Sequence, residues 1–162
     1  KRKKIFIDNL DVRRLFCMRI ALCICPQWSV QTPSFAIGSL KSHIKNKDVE
    51  VEQFDLNIRT SLYTKEKNIQ KFWDWGNDTP WNSEANFKDE ILPHFKDLWH
   101  EYIDKLAKYD VVAFTTYISN IVTTDYIARY LKQKNPKIQI WYGGPYSWYA
   151  ESAGLVENDN YR

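Results

Sequence analysis

Short apolar segments that alternate with amphipathic stripes predict an α/β fold, a doubly wound parallel sheet with helices on both faces. Three observations carry the prediction. Four apolar segments lie at 19–25, 49–54, 110–115 and 138–142. Stripes of helical period fall between them at 34–46, 86–108 and 120–134. The 162 residues are 44% hydrophobic, enough to build the core of one domain.

Taken in order, Arg19-Ile20-Ala21-Leu22-Cys23-Ile24-Cys25 is a continuous apolar run stopped by Pro26, as expected of a strand buried on both faces. Two prolines keep 26–33 irregular. Ser34 offers an N-cap, and Phe35, Ile37, Leu40 and Ile44 follow at helical spacing. Val49, Val51 and Phe54 alternate with Glu50, Glu52 and Gln53 in a second strand. The aromatic-rich excursion 58–85 is expected to be irregular, and it is too long for an ordinary connection. Phe87, Ile91, Phe95, Leu98, Tyr102 and Leu106 then form a helical stripe that Pro93 kinks or divides. Segment 110–115 is a third strand, 120–134 a helix stopped by Asn135-Pro136, and 138–142 a fourth strand broken by Gly143-Gly144-Pro145. A further helix is expected over 146–155. The domain reads as 18–155, with 1–17 an N-terminal extension and 156–162 the start of a linker.

Composition removes several functions. The net charge of +3 gives no electrostatic footprint for nucleic acid. No apolar run approaches the roughly 20 residues that span a membrane. The Lys1-Arg2-Lys3-Lys4 start lacks the apolar stretch of a secretory signal. Cys17, Cys23 and Cys25 form no Cys-x-x-Cys pair, and an odd count of thiols fits a cytoplasmic protein. Cys23 and Cys25 are expected on opposite faces of their strand, and so not to share a zinc. His43, His94 and His100 fall within helices, with no metal-ligand spacing, so no metal ligand is expected. No nucleophile–base pair is visible.

In a doubly wound sheet, ligands bind outside the carboxyl ends of the strands. The strand ends here are 26–32, 55–57, 115–120 and 143–146, all expected on one edge. Only five residues of the chain are glycine, and two of them are the adjacent Gly143 and Gly144. Such a pair either makes a tight turn or lets a ligand approach the backbone. Thr115, Thr116 and Tyr117 offer hydroxyls to a ligand or to a helix cap. Asp55 and Asn57 have the same two uses. The loop after the first strand lacks a Gly-x-Gly-x-x-Gly run, and there is no P-loop, so the usual NAD and ATP sites are excluded. A small nucleotide or flavin binder would also need a phosphate loop, and none is visible.

Together the strand ends resemble the N-terminal cobalamin-binding domain of B12-dependent radical SAM enzymes. The residues that carry the resemblance are Cys25-Pro26-Gln27-Trp28 with Pro33-Ser34, Asp55-Leu56-Asn57, Asp110 to Thr115 with Asn120, and Gly143-Gly144-Pro145. The resemblance covers about 18–150. It implies a Rossmann-like, flavodoxin-like domain that lays cobalamin (B12) across the strand ends. The chain has no Asp-x-His-x-x-Gly motif, so cobalamin would be held base-off, without a histidine on cobalt. The implied contacts are Trp28, Ser29, Thr32, Asp55, Asn57, Thr115, Thr116, Tyr117, Asn120, Gly143, Gly144, Pro145 and Tyr146. Trp28 and Tyr117 would flank the corrin, and the nucleotide tail would lie near Thr115, Thr116 and the glycine pair. The Cys-x-x-x-Cys-x-x-Cys run of the family's catalytic half is absent. The chain therefore reads as a cofactor-binding fragment, not catalytic alone. A radical SAM domain, in cis or in trans, would bring the [4Fe-4S] cluster and S-adenosylmethionine, with methyl transfer as the expected reaction. The aromatics of 58–85 would cover the ligand, meet that domain, or pack on helix 86–108. The alternatives are a scaffold or docking module of the same fold in which the bulky Trp28 loop fills the cavity, and a small nucleotide or flavin binder.

Overall fold

The computed structural model describes residues 17–31, 34–44, 48–73 and 79–147. The extension over 1–16, Thr32, the expected helix beyond Ser147 and the linker at 156–162 lie outside the described residues. In chain order the elements are β1 (Met18–Ile24), α1 (Phe35–His43), β2 (Val49–Asp55), α2 (Leu56–Glu66) and a 3-10 turn (Gln70–Phe72). The short helical turns α3 (Thr79–Asn82) and α4 (Glu84–Asn86) follow, then a π turn (Phe87–Ile91) and α5 (Leu92–Leu106). Last come β3 (Val111–Thr115), α6 (Ile121–Lys134) and β4 (Gln139–Gly143).

The four strands make one parallel sheet in the order β2-β1-β3-β4, so the predicted Rossmann-like α/β architecture is what the chain forms. The register is level at the top: Ile24 lies beside Asp55 and Thr115, and Thr115 beside Gly143. All four predicted strand ends therefore share one edge. The chain leaves β1 toward β2 but leaves β3 toward β4. The topological switch point thus lies between β1 and β3.

The two faces are filled unequally. Ile20, Leu22, Ile24 and Val111 meet α1 through Ile37. The other face carries Ala21, Cys23, Cys25, Val112, Phe114 and Ile140, packed against α2, α5 and α6. Cys23 and Cys25 both lie here, which corrects the expectation of opposite faces: residues two apart on a strand point the same way. Burial, with the neighbouring Cys25 thiol, pushes the Cys23 thiol well above its usual range. Such a thiol is a poor nucleophile.

The excursion is more ordered than its sequence suggests. α2 replaces the irregular start expected at 58, because its inward residues are hydroxyls that give no apolar stripe. Thr60, Ser61 and Thr64 are buried. The indole Nε1 of Trp99 donates to Thr60 at 3.0 Å. Further along, Trp81 is buried beside Phe95 and Trp99, with ring centroids 5.7 and 6.3 Å away. Phe87 and Phe95 stack on Trp99. Trp81 is thus core against α5, and Tyr63, Phe72 and Trp73 are partly buried against the same cluster, while Trp75 lies outside the described residues. Pro93 sits in the first turn of α5, just after the π turn. There its missing N–H is tolerated, and the stripe is divided as expected.

The expected cost of truncation follows from this packing. Trp99→Ala removes a fully buried ring and a buried hydrogen bond and should lose about 3–5 kcal/mol in urea unfolding. Trp141→Ala, on the open face and 48% exposed, should lose less than about 1 kcal/mol.

Candidate functional site

The carboxyl edge is held by three side-chain bridges between neighbouring loops. Diverging connections would leave strand-end carbonyls without partners at a switch point. Asn120, fully buried, supplies them: its Nδ2 donates to the carbonyls of Cys25 and Thr115, and its Oδ1 accepts from Tyr117 N–H at 2.8 Å. Next to it, Ser119 Oγ donates to Gln27 O, and Gln27 N–H donates to Ser119 O. This ties β1 to β3. Asn57 ties β2 to β1: its Oδ1 accepts from Trp28 N–H at 2.8 Å and its Nδ2 donates to Ser29 O. Thr116 ties β3 to β4: its Oγ1 and N–H both donate to Gly143 O, and its own carbonyl accepts from Tyr146 N–H.

Several predicted ligand contacts therefore hold the frame. Asp55 is the N-cap of α2, accepting from Ile58 N–H at 2.8 Å. Burial raises its pKa, while the N–H groups of Ile58, Ser34 and Asn57 oppose that shift. Asn57, Thr116 and Asn120 are buried in the bridges. Ser29 Oγ accepts from Gln31 N–H.

Beneath the edge, on the α1 face, is a cleft of about 270 Å3. Five predicted residues line it: Thr115, Tyr117, Gly143, Gly144 and Pro145. The rest of its wall is apolar and includes Leu22, Ala36, Ile37, Leu40, Ala113 and Trp141. Those six were not predicted. A signal for them exists in the sequence, where Ala113 sits between bulky Val112 and Phe114 in a buried strand and faces a helix that carries Ala36. Small residues on two facing elements leave a void. The cleft lies near the lower end of small-molecule sites, about 300 Å3.

The two glycines play different parts. Gly144 has φ +98°, and a Cβ there would meet Thr116 O at 2.8 Å. The turn itself demands glycine at that position. Gly143 has only Phe114 O at 3.9 Å in that position. Its alternation with Trp141 aims a side chain at the cleft.

Trp28 and Tyr117 do not stand apart to flank a ring. They stack on each other, with centroids 3.9 Å apart and planes 16° apart. None of the three histidines reaches the cleft. His43 ends α1, which starts at the carboxyl edge and runs away from it. His94 stacks on Phe72, and His100 meets Tyr126, on the other face. Among the described residues no group of three or more His, Cys, Asp or Glu gathers to hold a metal ion, and no helix is long and apolar enough to cross a membrane.

Two outcomes are expected. Gly144→Ala should lose about 2 kcal/mol or more in urea unfolding, while Gly143→Ala stays within about 0.5 kcal/mol of wild type. The second concerns pH. With its pKa raised, Asp55 binds a proton more tightly in the native state than in the unfolded chain. Its ionised form therefore costs stability at neutral pH, and that cost vanishes below the usual carboxylate range. Asp55→Asn keeps the cap without the charge. It should be at least as stable as wild type at pH 7, with the difference closing as pH falls through the raised pKa. A less stable variant at pH 7 in denaturant titration would refute this.

No family model, curated protein or solved structure matches this chain.

Proposed function

We propose that the chain is a cobalamin-binding module that works with a radical SAM domain, in cis or in trans, in an enzyme of methyl transfer. The observation that carries this reading is the cleft lined by Thr115, Tyr117 and Gly143-Gly144-Pro145, where the resemblance expects the nucleotide tail. The size of the cleft fits a division of the ligand. About 270 Å3 takes a ring system or a nucleotide arm, whereas a corrin macrocycle would have to lie outside, across the level strand ends. The apolar wall suits a displaced base, and Thr115, which lines the cleft, offers it a hydroxyl. The absence of histidine from the cleft is compatible with base-off binding. Bound cobalamin would supply a cobalt centre able to carry a methyl group. The chain's own residues would orient it and shield its lower arm.

A second reading, a docking module that has lost the cofactor, draws support from the Trp28–Tyr117 stack, which closes the edge beside the cleft. The two readings separate in one experiment. Mixed with hydroxocobalamin and passed through gel filtration, the folded protein should retain a shifted corrin absorption. Gly143→Val, which projects into the cleft without straining the turn, should weaken that binding at least about tenfold. A folded protein that retains no chromophore would leave the docking reading.

A further inference from the structure

The stack at the edge is built from two anchored loops. Trp28 N–H is fixed by Asn57 and Tyr117 N–H by Asn120, each at 2.8 Å. Both backbone positions are thereby held by buried amides. The rings are half-buried and overlap nearly face to face at 3.9 Å, closer than the usual 4.5–7 Å of aromatic pairs. Tyr117 also lines the cleft, so the ring that Trp28 covers belongs to the cleft wall.

Resting on the ligand reading of this edge, we infer that the Trp28 indole occupies the place of a planar ring of the ligand. The site then selects flat conjugated ring systems, and binding proceeds by exchange: the indole leaves Tyr117 and the ligand's ring takes that face. The anchors make this exchange local. Trp28 turns about its side-chain bonds while Asn57 and Asn120 keep both loops in place. The site is thus preorganised in its backbone and self-occupied in its side chains. A ligand must replace the lost stack and the packing of the indole against the cluster around Ile24 and Ile37, and its ring regains a contact of the same kind. Trp28 is in this sense a specificity-determining residue, because a ligand without a flat face has nothing to offer in return.

The test compares wild type with Trp28→Ala, and with Trp28→Leu should the alanine variant unfold. Two probes are used, hydroxocobalamin by stopped-flow absorption and indole by saturation-transfer NMR. Losing the competing stack should raise hydroxocobalamin affinity or association rate about twofold to tenfold. Indole should bind the variant and not wild type, by refilling the vacated place. If wild type binds hydroxocobalamin and the variant binds it less well, Trp28 is a wall of the site and the inference falls while the cobalamin reading stands. If neither protein binds hydroxocobalamin but indole binds the variant alone, the cobalamin reading falls and the ring-place inference stands. If neither probe binds either protein, both fall.

Discussion

Asn120 holds the point on which the carboxyl edge depends. β1 and β3 are neighbours in the sheet, yet their chains depart in opposite directions, so the carbonyls at their ends lose the ladder partners that pair every residue below. A buried carbonyl without a donor costs about as much as a lost hydrogen bond. One amide group meets the need of two strands and of the following turn, because it carries two donors and an acceptor in one plane. No hydroxyl or carboxylate of that size does the same. Asn57 and Thr116 extend the same solution outward to β2 and β4. The result is an edge whose loops are bonded to one another rather than to solvent, and whose free groups are side chains above a fixed backbone.

The unequal filling of the two faces gives that edge somewhere to place a ligand. On the α5 face, the small residues Ala21 and Cys23 of β1, and Cys25 just after it, share a cluster with Trp81, Phe87, Phe95 and Trp99, and the large rings use the space that the strand leaves. Among the described residues a single short helix covers β1 on the other face, and Trp141 of β4 is half exposed. A parallel sheet ordinarily has helices over both faces. The shortfall beside α1 is the cleft. The strands are apolar throughout, but among the described residues α1 does not reach across to β4, and the cleft lies in that gap.

Much of this was legible in the sequence. The four strands and three of the long helices are found within a few residues of their expected limits, because their periodicity is dictated by burial. The expectation that four strand ends meet on one edge needed only the parallel order and the level register. What escaped was α2, whose inward face is Thr60, Ser61 and Thr64. Hydroxyls in a helix carry no hydrophobic period, and they are buried here because small side chains allow close approach and Trp99 provides one a partner. The faces of Cys23 and Cys25 were also misassigned, although a strand's twofold alternation decides them. At the site, the residue types were informative but their duties were not. Asp55, Asn57, Thr116 and Asn120 fit ligand contacts and loop bridges equally well on paper, since the same amides and hydroxyls serve both.

The sequence by itself determined the α/β class, the strand ends and the glycine pair, because apolar periodicity and the conformational freedom of glycine are local properties of the chain. Only the tertiary structure decided which polar residues are consumed in holding the edge together, because a hydrogen-bond partner 95 residues away, as between Asn120 and Cys25, exists only once the strands are paired. It also decided the separate meanings of the two glycines. Gly144 is demanded by the backbone of Thr116 across the turn, while a Cβ at Gly143 would meet only Phe114 O at ordinary contact distance. That distinction rests on what stands opposite each residue, which no reading of neighbours along the chain contains.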